Sequence, residues 1–168
     1  MLEYVKVDQE ADPYSIAHTI ALNALVARAK SKGELLAHLK KRGVEDDVAN
    51  ATIFRLQEKG LVNDSEFAKA WTQSRHTSKK LSKRIIASEL RTRGVDQQSI
   101  DEALDEIDEE SEYRTAFSLA MRKYSTMSRL ESEVQVRRIQ SLLQRKGFSF
   151  STISRVIREL GVQSDELQ

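Results

Sequence analysis

The chain has 168 residues, of which 39% are hydrophobic and 32% charged, with one proline, six glycines, no cysteine and a formal net charge of +1. This composition suits a folded, helix-rich protein with a core of Leu, Ile, Val and Ala, and excludes collagen-like and linker-rich chains. The absence of cysteine excludes disulfides, thiolate catalysis and Cys-ligated zinc.

The first twelve residues read as an amino-terminal arm. Glu3 and Asp8 interrupt the apolar run that a signal peptide needs, and no later stretch approaches a membrane-spanning length. The expectation is a cytoplasmic protein with no membrane association. EYVKV, residues 3–7, is the only strand candidate. Asp12–Pro13 then gives a helix start, with an N-cap followed by proline at the first helical position.

From there the sequence repeats itself. LKKRGV at 39–44, LRTRGV at 90–95 and LQRKGF at 143–148 set three glycines, Gly43, Gly94 and Gly147, at intervals of 51 and 53 residues. Four residues before each glycine stand Leu39, Leu90 and Leu143; eight before stand Leu35, Ile86 and Ile139. That spacing places both side chains on one face of a helix that stops at the glycine. Arg42, Arg93 and Lys146 precede the glycines, where a cation complements the end of the helix dipole. Val44, Val95 or Phe148 follows, and then a second helix with apolar positions at helical spacing: Ala49, Ile53 and Leu56; Ile100, Leu104 and Ile107; Ile153, Ile157 and Leu160.

A further helical segment precedes each pair, around 20–29, 67–71 and 117–124. Capping-box spacing marks SKGE at 31–34, SIDE at 99–102 and SRLE at 128–131, and Asn63 or Asp64 can cap the helix containing Phe67. The predicted fold is all-α: three tandem three-helix repeats at 13–63, 64–110 and 111–162, between the 1–12 arm and a 163–168 tail, forming an elongated array able to curve. A unit of about fifty residues has a marginal core by itself, so neighbours are expected to stack.

No nucleotide-binding, nucleophile-elbow or metalloprotease motif occurs, so no catalytic residue, metal or cofactor is expected. His18, His38 and His76 lack metal-ligand spacing and read as solvated or half-buried helix residues. Trp71, with Phe67 at i−4, reads as a core anchor. Charge is segregated: eight bases against Glu89 from Lys69 to Arg93, nine acids and no base from Asp96 to Glu112, then ten bases against Glu131 and Glu133 from Arg114 to Arg158. The acids of DEALDEIDEE share a helix with Ala103, Leu104 and Ile107, and so read as its solvated face. The basic blocks point to nucleic acid or an acidic protein surface.

Residues 27–75, ARAKSKGELLAHLKKRGVEDDVANATIFRLQEKGLVNDSEFAKAWTQSR, resemble the bacterial RecX family. The matching positions are Arg28, Ser31, Glu34, Leu35, Leu39, Leu56, Gly60, Leu61, Val62, Asp64, Phe67, Ala68, Trp71 and Arg75. RIIASELRTRGV in the second repeat, and RKYS and RIQSLLQRKGF in the third, are similar to the same family, so the resemblance spans roughly 15–161. After the Arg75 position the family often has glycine, where this chain reads HTSKKLSK.

The resemblance implies a mainly negative modulator of the RecA recombinase in DNA repair, homologous recombination and the SOS response, and a monomer is expected. It would bind in the groove of the RecA filament on single-stranded DNA and restrain ATP hydrolysis, strand exchange and LexA coprotease activity. The candidate filament-binding residues are Lys40, Lys41, Arg42, Arg75, Lys79, Lys80, Lys83, Arg84, Arg91, Arg93, Arg122, Lys123, Arg137, Arg138, Arg145 and Lys146. They could touch single-stranded DNA directly or through RecA. A stand-alone DNA-binding helical-repeat protein competing for the lattice, and a scaffold indifferent to both, are the alternatives.

Overall fold

The computed structural model describes residues 12–162; the EYVKV strand candidate and the 163–168 tail lie outside them. Among these residues there are nine α-helices and no strand: α1 (Pro13–Ala27), α2 (Lys32–Lys41), α3 (Asp46–Glu58), α4 (Asp64–Thr77), α5 (Lys83–Thr92), α6 (Gln97–Asp105), α7 (Glu109–Tyr124), α8 (Ser132–Arg145) and α9 (Phe150–Glu159). They form two compact units. One holds the residues up to Phe67 together with Arg93–Val95; the other holds Ala68–Thr92 and the residues from Asp96 onward.

In the first unit α1, α2 and α3 pack against one another. α1 contributes only small buried side chains, Ala17, Ala21 and Ala24, against Leu35 and Leu39 of α2 and Val48, Ala49, Ile53 and Leu56 of α3. In the second unit α7, α8 and α9 repeat the arrangement. Ala116 and Ala120 of α7 face Ile139 and Leu143 of α8 and Ile153 and Val156 of α9, with Met127 and Phe148 closing the ends. An alanine face lets two neighbouring helices approach closely, while each leucine or isoleucine they bury contributes roughly 1.5–3 kcal/mol. An aromatic–arginine pair also recurs between first and third helices: Arg55 lies 5.2 Å over the Tyr14 ring and Arg155 lies 3.6 Å over Tyr113. Burial, together with a bond to Glu159, pushes the Tyr113 hydroxyl up to about 12.

The three corner glycines take φ of 81°, 72° and 87°. At the first and third corners the amides of Val44 and Phe148 reach back to the carbonyls of Leu39 and Leu143, at 3.2 and 3.1 Å. Those of Gly43 and Gly147 bond to Lys40 and Gln144, both at 2.9 Å, completing the six-to-one and five-to-two pattern of a glycine-terminated helix.

Three predicted caps hold: Asp12 accepts from Tyr14, Ser31 from Glu34 at 3.1 Å, and Asn63 from Glu66 at 3.1 Å. Two do not. α6 is capped by Asp96, which accepts the Ser99 amide at 2.9 Å and the Ser99 hydroxyl at 2.8 Å, so the helix starts ahead of the SIDE box. A carboxylate outcompetes a hydroxyl at the positive end of a helix dipole, and the bonds from Ser99 hold Asp96 below the usual carboxylate range. α8 begins after Glu131, not at Ser128. The side-chain amide of buried Gln135 donates to the carbonyls of Met127 and Leu130, at 2.8 and 3.0 Å, and ties the preceding turn down outside the helix. His76 also departs from expectation. It is buried, with Nδ1 3.1 Å from the Leu81 carbonyl and Nε2 3.0 Å from the Thr115 hydroxyl. The carbonyl can only accept, so Nδ1 carries a proton.

The corners are also where repeats meet. Ser31, which caps α2, donates its hydroxyl to the Arg93 carbonyl. The Arg93 guanidinium pairs with Glu34, which Arg28 also holds at 2.9 Å. A Cβ on Gly33 would fall 2.7 Å from the Gly94 Cα and 2.9 Å from the Arg93 carbonyl oxygen. Ser82 occupies the same place in the second repeat, twelve residues ahead of its corner glycine. Its amide donates to the Lys146 carbonyl at 3.0 Å, and the Lys146 amine donates to the Lys79 carbonyl at 2.7 Å. A Cβ on Gly147 would fall 2.5 Å from both Ile85 Cγ1 and Ser82 Oγ. The start of one repeat's middle helix therefore seats on the corner of the next.

Gly33→Ala places a favourable helix former in α2, yet it forces two backbones apart. We expect a loss of about 1–3 kcal/mol from overpacking, against the gain of about 1 kcal/mol that alanine brings to an open helix position. Urea unfolding measures the sign.

Burial would raise the Glu34 carboxyl, but the bonds from Arg28 and Arg93 more than offset it and hold the group below 4.5. A carboxylate lowered in the folded state adds stability above its unfolded value and loses it as pH falls through the folded one. The melting temperature of the wild type should therefore fall more steeply below about pH 4.5 than that of Glu34→Gln, and the two curves should converge at the acid end.

Candidate partner-binding surface

The α4–α5 connection carries the densest cluster of predicted cations, and its shape follows from three ties within the second unit. The Ser82 amide bonds to the Lys146 carbonyl, the Lys146 amine to the Lys79 carbonyl, and Arg84 Nε to the Gly147 carbonyl at 3.3 Å. These bonds bring Lys79, Lys80 and Arg84 beside Lys146 and its chain neighbour Arg145. Five cations far apart in sequence thus form one basic patch. Lys79, Arg84 and Arg145 are exposed, Lys80 and Lys146 partly so.

Lys80 sits at φ 54°, in the left-handed region. A side chain costs roughly 1–2 kcal/mol there relative to glycine. A cation at a position that glycine would occupy without strain agrees with a use for its charge.

The other candidate cations separate into two groups. Several are engaged within the fold. Arg75 Nε donates to Glu89 at 2.9 Å while its guanidinium stacks 4.0 Å over the Trp71 ring, and Trp71 Nε1 donates to the same carboxylate at 2.9 Å. Trp71 is thus half-buried in a polar cluster joining α4 to α5, rather than in the apolar core. Lys83 donates to the Ile107 carbonyl at 2.8 Å, just past the end of α6, and its amide donates to Glu112 at 2.9 Å. Arg93 is held by Glu34, Lys40 lies 2.9 Å from Asp46, and Arg91 donates to Gln97 at 3.0 Å. In contrast Lys41, Arg42, Arg122, Arg137 and Arg138 are exposed and Lys123 is half-buried. No bond joins these six to the patch at Lys79. The acids Asp101, Glu102, Asp105 and Glu106 are exposed opposite buried Ala103 and Leu104, as a solvated helix face requires.

Sequence reasoning missed Ser31 and Ser82 as the residues that seat a helix start on the next corner, and Gln135, at the same place in the third repeat, as the residue that ties down its own preceding turn. The signal was present, because all three stand twelve residues before a corner glycine.

Models of the first, second and third three-helix domains of RecX match residues 17–56, 63–104 and 109–157. The chain belongs to the RecX family. It is 36% identical over 154 residues to Regulatory protein RecX of Streptomyces coelicolor, covering 92% of this chain and 82% of the relative. It is 33% identical to the protein of the same name from Amycolatopsis mediterranei, covering 90% and 89%. The crystal structure of RecX from Lactobacillus salivarius superposes with a TM-score of 0.81 at 23% identity, covering 91% of this chain and 99% of that one. The Streptomyces and Amycolatopsis relatives are named as regulatory proteins, not as enzymes. Among the described residues no helix is long and apolar enough to cross a membrane.

Arg75 and Arg138 should respond oppositely to truncation. Arg75→Ala removes a charge-assisted bond and a stacked cation, with an expected loss of about 1.5–3 kcal/mol, whereas Arg138→Ala should stay within about 0.5 kcal/mol of wild type. Paired denaturation curves measure both.

Proposed function

We propose that this protein is a negative modulator of the RecA recombinase, binding in the groove of the RecA filament on single-stranded DNA and restraining ATP hydrolysis, strand exchange and LexA coprotease activity. Membership of the RecX family carries the reading. The basic patch of Lys79, Lys80, Arg84, Arg145 and Lys146 gives it a physical route, because it is an exposed positive surface held in shape by backbone carbonyls. Such a patch speeds encounter with an acidic surface and fixes orientation more than it adds raw affinity. Arg75, Lys83 and Arg93 serve the fold first, and within the patch Arg84 and Lys146 also donate to carbonyls of the chain, so Lys79, Lys80 and Arg145 carry the contact.

The mechanism is occupancy. Nothing in this reading requires the protein to perform chemistry. A helical protein wedged between filament subunits restrains the closure that ATP hydrolysis and strand exchange need, and it covers the surface that LexA must reach. Charge contacts of this kind weaken as salt screens them, over about 8–10 Å at physiological ionic strength.

The test is the single-stranded-DNA-dependent ATPase of the cognate RecA with this protein titrated in, alongside its binding to the same DNA without RecA. Inhibition near or below stoichiometric ratios, with weak binding to bare DNA, is expected. Lys79→Ala combined with Lys80→Gly and Arg145→Ala should raise the half-inhibitory concentration about tenfold, equivalent to about 1.4 kcal/mol. Tight binding to bare DNA with a steep salt slope, and inhibition only once that DNA is saturated, would instead establish a stand-alone DNA-binding protein.

A further inference from the structure

Two of the three helix corners are occupied from within the chain, each by the start of a middle helix that gives the corner carbonyl a donor and the corner cation an acceptor. At Gly94 the neighbour is a helix start: a serine bonded to the carbonyl of the preceding residue, a carboxylate on that residue's cation, and a backbone lying flat on the glycine Cα. At Gly147 it is again a helix start, with the Ser82 amide on the Lys146 carbonyl, the Lys146 amine on the Lys79 carbonyl, and Ile85 packed where a Cβ would stand. The corner thus has three fixed parts: a cation, the carbonyl of the same residue, and a glycine with no side chain to block approach.

The first corner has the same three parts and no occupant among the described residues. Gly43 has φ 81° and nothing within 4 Å of the position its Cβ would take. Arg42 is exposed beside Lys41, and Lys40 lies one residue further back, paired with Asp46. The crowding of positive charge reaches His38, which is held below 6.5 by burial first and then by Arg42, Lys30 and Lys41. The third repeat cannot serve the first corner of a second copy in the same way. The position of Ser31 and Ser82 is taken there by Gln135, which is inside α8 and bonded to its own loop.

We propose that Arg42 and Gly43 form a socket for the first turn of a helix in a partner protein, a helix with a hydroxyl N-cap and a carboxylate within its first turn. On the RecA reading, on which this inference rests, that helix start belongs to a subunit of the filament. The carboxylate pairs with Arg42, as Glu34 does with Arg93. The N-cap hydroxyl donates to the Arg42 carbonyl, and the backbone lies on Gly43. The pairing adds specificity to the contact, because a side chain at Gly43 or a cation at the partner's helix start blocks it.

Asparagine tolerates the left-handed conformation better than other side chains. Gly43→Asn therefore fills the socket at small cost to the fold. Gly60→Asn is the matched control, since Gly60 ends α3 at φ 69° and also has nothing within 4 Å of its Cβ position. Both full-length variants are compared with wild type for melting temperature, for half-inhibition of RecA ATPase on single-stranded DNA, and for binding to bare single-stranded DNA. The expected result is equal small shifts in melting temperature, with about a tenfold loss of inhibition for Gly43→Asn and none for Gly60→Asn. Equal potency of the two variants would overturn the socket. If wild type itself fails to inhibit RecA, the RecA reading falls, and this inference falls with it. If Gly43→Asn loses bare-DNA binding in the same proportion as inhibition, the corner binds phosphate and the helix socket is wrong. Because the chain has no cysteine, Lys41→Cys also carries a single crosslinker. Its products should map to the first turn of a RecA helix containing Asp or Glu, and crosslinks to DNA alone would contradict the proposal.

Discussion

The structure depends on a backbone-to-backbone approach that only glycine permits. At Gly33 and Gly94 two chains come so close that a single methyl group would overlap main-chain atoms. Around this contact polar groups bond across the two chains: Ser31 on the Arg93 carbonyl, Glu34 between Arg28 and Arg93. A helix end normally leaves carbonyls without partners and a helix start leaves amides without partners. Seating one on the other gives a corner carbonyl a donor from the incoming helix start, the Ser31 hydroxyl at Arg93 and the Ser82 amide at Lys146, which suits a protein short of aromatic residues and built from small helices.

The same economy explains the composition of the cores. In the first and third repeats the first helix presents alanine, the second and third helices supply the bulk, and the core closes around leucine and isoleucine. Polar clusters then fasten helix to helix at the edges: Trp71, Arg75 and Glu89 between α4 and α5, and Tyr113, Arg155 and Glu159 between α7 and α9. Many of the basic residues that look free in a sequence are thereby engaged. The charges left over include those on the loop at Lys79 and Lys80, at the first corner, at the end of α7 and along the exposed side of α8. A modulator that binds by charge and shape has its working surface in what the fold does not consume.

The repeat, the helical class and the helix stops were legible in the sequence because they depend on local rules. A leucine four residues and another apolar residue eight residues before a glycine mark a helix face and its end wherever the chain goes next. The caps at Asp12, Ser31 and Asn63 were legible for the same reason. The start of α6 was misread because Asp96 and Ser99 both offer a cap, and the stronger acceptor prevailed. The start of α8 was misread because Gln135 ties the preceding turn down, a bond that spacing does not encode. His76 looked like a surface residue because nothing nearby in sequence announces Leu81 and Thr115 as its partners.

By itself the sequence determined that this is an all-helical chain of repeated three-helix units, with segregated charge and the family motifs of RecX. These properties follow from periodicity, from helix-end chemistry, and from residue types at fixed spacing, all of which act over a few turns of chain. Only the tertiary structure decided which cations are available. Separating Arg75, Lys83 and Arg93 from Lys79, Arg42 and Arg138 requires knowing where carboxylates and carbonyls from 14 to 59 residues away come to lie. It also decided that, among the described residues, two corners are filled and one is open, because close approach between backbones is a property of packing and leaves no mark on the six letters that the corners share.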